Sequence, residues 1–239
     1  MRKIRLDKFL ANMGVGSRKE VKDLIRKGLV RINDAIYKSP KATVNPNEDK
    51  VEVNGEQIIY KPFIYLMLNK PAGYITATED RVHKTVLDLI RDEDKVLDPF
   101  PVGRLDKDTE GLLIITNDGK LAHHLLSPNK DIFKTYIAHV QRDITEEDIE
   151  AFQNGLELDD GYQTKPALLK SLGDKRVEVK ITEGKFHQVK RMFEARGNKV
   201  VYLKRVSMGD LNLDEELKLS EYRELTDEEL AILREGFTQ

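Results

Sequence analysis

Leu6, Phe9, Leu10 and Met13 recur at the spacing of one helix face, which predicts a short amphipathic helix broken by Gly14 and Gly16. Ser17-Arg18-Lys19-Glu20 then has the form of a capping box, in which serine and glutamate satisfy each other's free backbone donors. The helix it opens buries Val21, Leu24 and Ile25 and stops near Gly28. After it the pattern shortens. LVRIN and DKVEVN read as strands, with Asn33-Asp34 and Asn54-Gly55 as turns. QIIYKP, residues 57–62, reads as the join between a first domain over 1–60 and a second over 61–239. In the second, the strand-like runs IYLMLN, GLLIITN, KTYIAHV, RVEVKITE and KVVYLKRV alternate with short helical segments. Adjacent strand runs without regular helical crossovers predict an α+β domain on a mainly antiparallel sheet. Thr226-Asp227-Glu228-Glu229 forms another capping box and opens a terminal helix.

Composition narrows the class. With 239 residues and 39% hydrophobic content the chain supports a sizeable core, and no stretch reads as disordered. The absence of cysteine excludes disulfides, thiolate zinc sites and a cysteine nucleophile, and fits a cytoplasmic location. The basic N-terminus lacks the continuous apolar run of a signal peptide, and no segment approaches the roughly 20 apolar residues needed to span a bilayer.

A formal net charge of −2 conceals segregation. Residues 1–31 carry ten Lys or Arg against Asp7, Glu20 and Asp23, and residues 185–205 are also strongly basic. Acid is concentrated in 143–160 and after Asp210. Such asymmetry points to a polyanion touched on chosen surfaces, with ordinary solvated charge as the alternative. On the second helix Arg18, Lys22 and Arg26 fall one turn apart, with Lys19 beside them. A basic stripe of this kind suits a phosphate backbone, because each contact releases condensed counterions.

The densest chemical signal is Gly103-Arg104-Leu105-Asp106-Lys107-Asp108-Thr109-Glu110-Gly111, feeding the apolar run Leu112 to Ile115. A carboxylate at the end of a buried strand can be held where low dielectric strengthens its interactions. Arg104 and Lys107 are close enough in sequence to compensate its charge. Taken alone, the stretch reads more readily as a turn in which Asp and Thr cap backbone donors and Arg104 pairs with a carboxylate. Farther on, Val189, Met192 and Phe193 form one helix face, with Lys190 on its border and Arg191 next to it. His123 and His124 are adjacent, which on a helix is poor metal geometry, while His83, His139 and His187 are isolated in sequence. Asn117-Asp118-Gly119 is a plain turn signal.

Two resemblances join these fragments. RLDKFLANMGVGSRKEVKDLIRKGLVRIN resembles the S4 RNA-binding domain over roughly residues 3–60, which implies RNA binding and no particular chemistry. GRLDKDTEGLLIITNDG resembles the signature of the pseudouridine synthases, in the branch that modifies ribosomal RNA behind an S4 domain. That resemblance implies that Asp106 is the nucleophile. LNKPAGY, residues 68–74, resembles the family's first motif, whose Lys-Pro pair supports the active-site loop. KTYIAHV places Tyr136 where the family has the tyrosine that packs against the target base. EGKFHQVKRMFEARGN places Lys190 where the family has the basic partner of the aspartate, with Arg191 as its rival.

The implied fold is an S4-type domain followed by a pseudouridine synthase catalytic domain. The implied reaction breaks the bond between ribose and uracil N1, turns the base and rejoins it through C5. It needs no cofactor and no metal. Arg104, Arg191 and the stripe Arg18, Lys19, Lys22 and Arg26 are the expected RNA contacts. FIYLMLNKPAGY, LLSP, KTY and TKPA look closer to the synthases of small-subunit (16S) RNA than to those of large-subunit RNA. The expected partner is ribosomal RNA or a pre-ribosomal particle, and a monomer is expected because no long exposed apolar stripe is evident. The remaining alternatives are a large-subunit enzyme, a non-catalytic RNA-binding or assembly protein, and another RNA-directed enzyme such as a methyltransferase. The last would need a glycine-rich cofactor loop, which is not evident.

Overall fold

A computed structural model describes residues 3–236, apart from the Pro128 side chain. The chain divides into two units, residues 3–64 with 91–99 and residues 65–90 with 100–236.

In the first unit, β1 (Ile4–Arg5) leads into α1 (Leu6–Asn12) and α2 (Arg18–Arg26). The α2 capping box is made as predicted, with Ser17 Oγ accepting from the Glu20 amide and Glu20 Oε2 accepting from the Ser17 amide. Next come β2 (Val30–Ile32), β3 (Ala35–Ile36), β4 (Thr43–Val44), β5 (Val51–Val53) and β6 (Glu56–Ile58). Both predicted two-residue turns have positive φ at each position, at Asn33-Asp34 and Asn54-Gly55. That geometry matches the twist of the strands it joins, so β3-β2-β5-β6 form an antiparallel sheet. Leu6, Phe9, Leu10, Val21 and Ile25 pack on Val30, Ile32, Val44 and Val51 as one core. The short α3 (Asp92–Lys95) also belongs to this unit.

The second unit holds β7 (Tyr65–Lys70), β8 (Phe100–Pro101), β9 (Glu110–Thr116), α4 (Gly119–Leu126), β10 (Lys134–Val140), α5 (Glu146–Asn154) and β11 (Leu168–Gly173). It continues through β12 (Arg176–Ile181), α6 (Gln188–Ala195), β13 (Val200–Met208), β14 (Leu211–Asn212), β15 (Tyr222–Glu224) and α7 (Asp227–Leu233). Among the described residues one sheet runs β11-β12-β10-β13-β9-β7-β15, with β14 on β13 and β8 on β9. Its pairings are antiparallel except β9 with β13.

The continuous apolar runs of β7 and β9 follow from burial on both faces, since Leu66 to Leu68 and Leu112 to Ile115 are all buried. The parallel contact puts Gly111 opposite Arg205. Gly111 has φ +103°, and a Cβ there would collide with the Arg205 carbonyl. Glycine at this point lets the chain pass from the Asp106 loop into the sheet.

Candidate active site

The loop from Gly103 to Thr109 is gripped by the segment that leaves β7. Lys70, the last residue of β7, is fully buried. Its ammonium donates to four backbone carbonyls: Pro71 (3.0 Å), Asp106 (3.1 Å), Lys107 (3.3 Å) and Thr109 (2.8 Å). Burial pulls that ammonium down to about 8, against the opposing pull of the Asp108, Asp106 and Glu110 charges. The Gly73 amide donates to the Lys107 carbonyl at 2.7 Å. Thr76 holds the residue before Asp106 on both sides: its hydroxyl donates to the Leu105 carbonyl (2.7 Å) and accepts from the Leu105 amide (3.0 Å). A loop of this composition would be mobile in water, and these bonds leave it few alternative conformations.

Asp106 projects from the gripped loop with its side chain 24% exposed. Lys190 Nζ lies 3.0 Å from Asp106 Oδ2 and 2.6 Å from Asp108 Oδ1. Burial disfavours the Lys190 ammonium, but hydrogen bonds to Asp108 and Asp106 outweigh it and raise its pKa. Asp108 is lowered despite partial burial, because Lys190 stabilises its charge. On the other side of Asp106, His187 Nε2 stands 3.7 Å from Oδ1.

Lys190 reaches this place because α6 buries Val189, Met192 and Phe193 and thereby turns the intervening residue to the border. The start of α6 is anchored by Glu183, which accepts from Gln188 Nε2 (2.7 Å), Tyr162 Oη (2.7 Å) and the Lys165 amide (2.8 Å). Arg191, one position on, faces elsewhere. It pairs with Asp159 and Asp160 at 2.6 Å and 2.7 Å. Of the two basic neighbours, Lys190 is the one that meets Asp106.

Asp106, His187 and Lys190 line a cavity of about 340 Å³. Tyr136, on the interior strand β10 and 7% exposed, forms part of its wall with Ile181, Leu203 and Val189. Arg104 is exposed and lies on the cavity lining. The chemistry on offer is an ionisable carboxylate, a fixed cation and an apolar wall with one aromatic ring. Arg18, Lys19, Lys22 and Arg26 lie in the first unit on α2. Arg18, Lys19 and Arg26 are exposed and Lys22 is half-buried, while Arg26 also pairs with Asp23 at 3.3 Å.

Sequence reasoning missed three contributors. His187, isolated in sequence, is brought beside Asp106 by the turn into α6, where it adopts φ 49°. Asp108 shares Lys190. Thr76 gave no signal beyond its hydroxyl. Lys70 was not missed, since it is the lysine of the Lys-Pro pair expected to support the active-site loop, but its four acceptors are backbone groups that no side-chain pattern displays. Among the described residues no group of three His, Asp or Glu is arranged to hold a metal, and no helix is long and apolar enough to cross a membrane.

Comparison with known proteins agrees with this geometry. A family model described as RNA pseudouridylate synthase matches residues 64–195, and the S4 domain model matches residues 4–50. An uncharacterised RNA pseudouridine synthase of Bacillus subtilis is 52% identical, covering 97% of this chain and 99% of its own. Ribosomal small subunit pseudouridine synthase A of Yersinia pestis is 40% identical over 95% and 97% of the two chains. Ribosomal large subunit pseudouridine synthase B of Bacillus subtilis is 38% identical over 96% and 95%. The crystal structure of a pseudouridylate synthase, 38% identical, superposes with a TM-score of 0.68 over 96% of this chain and 99% of its own. A carboxylate loop locked to β7, a lysine delivered by α6, an S4 domain in front and relatives that span the whole chain lead to one statement: the chain belongs to the RNA pseudouridylate synthase family.

Proposed function

We propose that the protein isomerises one uridine of small-subunit (16S) ribosomal RNA to pseudouridine, with Asp106 as the nucleophile. The observation that carries this reading is the Asp106 carboxylate held 3.0 Å from Lys190 beside a cavity walled by Tyr136. Unit charges at that distance attract by a gross 5 kcal/mol, roughly, at an effective dielectric near 20. Lys190 is therefore a fixed counter-charge for Asp106, and its attraction strengthens as substrate excludes water.

The target uridine leaves its stack at a cost of a few kcal/mol and packs its base against Tyr136. Asp106 attacks, and the bond from C1′ to N1 breaks. The uracil turns, C5 bonds to C1′, the C5 proton is lost and N1 gains one. The carboxylate is released, so atoms balance within a single nucleotide. Arg104 contacts the RNA around the site, Arg191 is held by Asp159 and Asp160 instead of taking the RNA contact expected of it, and Arg18, Lys19, Lys22 and Arg26 carry the S4 contribution. The reading takes residues 1–60 as the RNA-binding domain and 61–239 as the catalytic one. It has a monomer act in the cytoplasm on ribosomal RNA or an assembling particle, without cofactor or metal.

The small-subunit assignment draws on the motif resemblance and on the relatives that carry that name. Chemical mapping of pseudouridine in ribosomal RNA from a strain lacking the gene tests it. One modification is expected to vanish from small-subunit RNA. An unchanged map sinks the reading, and a site lost from large-subunit RNA transfers the substrate.

A further inference from the structure

Phe186 is the most exposed aromatic residue among the described ones, at 76%. One of its faces is covered by the neighbouring His187 imidazole, with ring centroids 3.8 Å apart and planes at 17°. A ring covered on one face and still so exposed has its other face open to solvent.

Stacking between consecutive residues is uncommon, because a strand points them to opposite sides and a helix turns them about 100° apart. Here His187 sits at φ 49°, ψ 30°, in the left-handed region that residues with a Cβ seldom occupy, and the two rings come face to face. The pair has a fixed place in the site. His187 Nε2 lies 3.7 Å from Asp106 Oδ1, and both rings line the same cavity as Asp106 and Tyr136. The imidazole thus meets Asp106 by its Nε2 edge and the phenyl ring by one face.

We propose that the open face of Phe186 is a stacking site for an unpaired nucleobase adjacent to the target uridine in the substrate strand. The inference rests on the reading of the protein as a uridine isomerase acting on RNA. The target base belongs in the cavity against Tyr136. Of the two stacked rings only the imidazole meets Asp106, through its Nε2 edge, so the solvent-facing side of Phe186 suits the base next to the reacting one. Flipping a uridine out removes a stacking neighbour from the base beside it. An aromatic face replaces that neighbour whatever the base, since every base has a π-face. Lys185 and Arg104 line the same cavity and offer cations to the flanking phosphates. Phe186 is therefore a stacking residue that anchors the strand, and it takes no part in bond making.

The test uses full-length protein and 16S RNA transcribed with tritium at uridine C5, whose release reports turnover, with filter binding of the same RNA in parallel. Base–aromatic stacking corresponds to about 5- to 150-fold in affinity per base. Phe186→Ala is expected to raise both KM and Kd about tenfold while kcat stays within about twofold. Phe186→Trp should match the wild type, and Phe186→Leu should behave like alanine, because it is apolar without being planar. Unchanged KM and Kd in the alanine variant overturn the proposal, and so does full recovery by leucine. Wild-type protein that binds but releases no tritium would sink the functional reading, while the binding series would still decide the stacking site.

Discussion

Lys190 bridges two carboxylates from one loop, Asp106 at 3.0 Å and Asp108 at 2.6 Å, and the two partners are not equivalent. The Asp108 side chain is 72% exposed and that of Asp106 only 24%. Water screens the first pair far more than the second, so most of the useful attraction is directed at Asp106 although Asp108 is nearer.

That asymmetry separates three variants. Asp106→Asn should keep RNA affinity and lose turnover by several orders of magnitude, because an amide is a poor nucleophile. Lys190→Met removes one fixed charge from a partly dry site and should lower kcat about 100- to 1000-fold, the range seen when a single preorganised electrostatic contact is deleted. Asp108→Asn should cost less than about fivefold, since it leaves Lys190 to Asp106 alone. Single-turnover rates with RNA in excess of Kd measure all three. An Asp108 effect as large as that of Lys190 would show that the bridge acts as a unit.

Thr76 acts on the nucleophile through the backbone. Its hydroxyl satisfies both the amide and the carbonyl of Leu105, and all three groups are buried. Thr76→Val keeps the shape and strands two polar groups, at about 1–3 kcal/mol each. The loop has Lys70 and Gly73 as further anchors, so the protein should remain folded while Asp106 loses its alignment. The expected result is a drop of about tenfold or more in kcat with KM unchanged, and recovery in Thr76→Ser. A change confined to KM would assign Thr76 to RNA binding.

Arg18, Lys22 and Arg26 share one side of α2 in the S4 domain. If each neutralises a phosphate of single-stranded RNA, the triple glutamine variant should flatten the slope of log K against log salt by about 2. Affinity should fall without change in kcat at saturating RNA. Filter binding across a salt series checks both, and an unaltered slope would remove the stripe from the RNA contacts.

Much of this was legible in the order of residues, because it depends on local pattern. The Ser17-Glu20 box, the two Asn-led turns and the buried runs of β7 and β9 each report an interaction completed within a few residues or a burial state shared by neighbours. Asp106 stood out once its loop was joined to the segments around Tyr136 and Lys190. The choice of Lys190 over Arg191 follows from 100° of helix rotation combined with which face of α6 is buried, and so needs the packing as well as the pattern. His187 was invisible for a different reason. Its approach to Asp106 spans more than eighty residues and depends on one left-handed dihedral angle at the entry to α6. The parallel pairing of β9 with β13, which makes Gly111 obligatory, is likewise a long-range outcome that a run of apolar residues does not announce.

Asp148 ties α5 to the end of α6 and gives a handle on stability with acid. Buried at 2% exposure, it accepts from Arg142 (2.7 Å) and Arg196 (2.9 Å). The Arg142 contact, aided by the Thr145 amide and Arg196 and opposed by burial, lowers its pKa to about 2 from 3.8. A carboxyl with a depressed folded pKa contributes stability that is complete above its unfolded value and disappears as pH falls through the folded one. The contribution is therefore about 2 kcal/mol at neutral pH and is lost between about pH 4 and pH 2. Asp148→Asn should be destabilised by at least that amount at pH 7, since both guanidinium groups lose their counter-charge in a partly buried place. Below pH 4 the gap between the variant and the wild type should narrow, because protonation imposes the same loss on the native residue. Urea unfolding at pH 7, 4 and 3 measures this. A gap that stays constant with pH would mean that Asp148 acts through its hydrogen-bond geometry alone and that its charge contributes nothing.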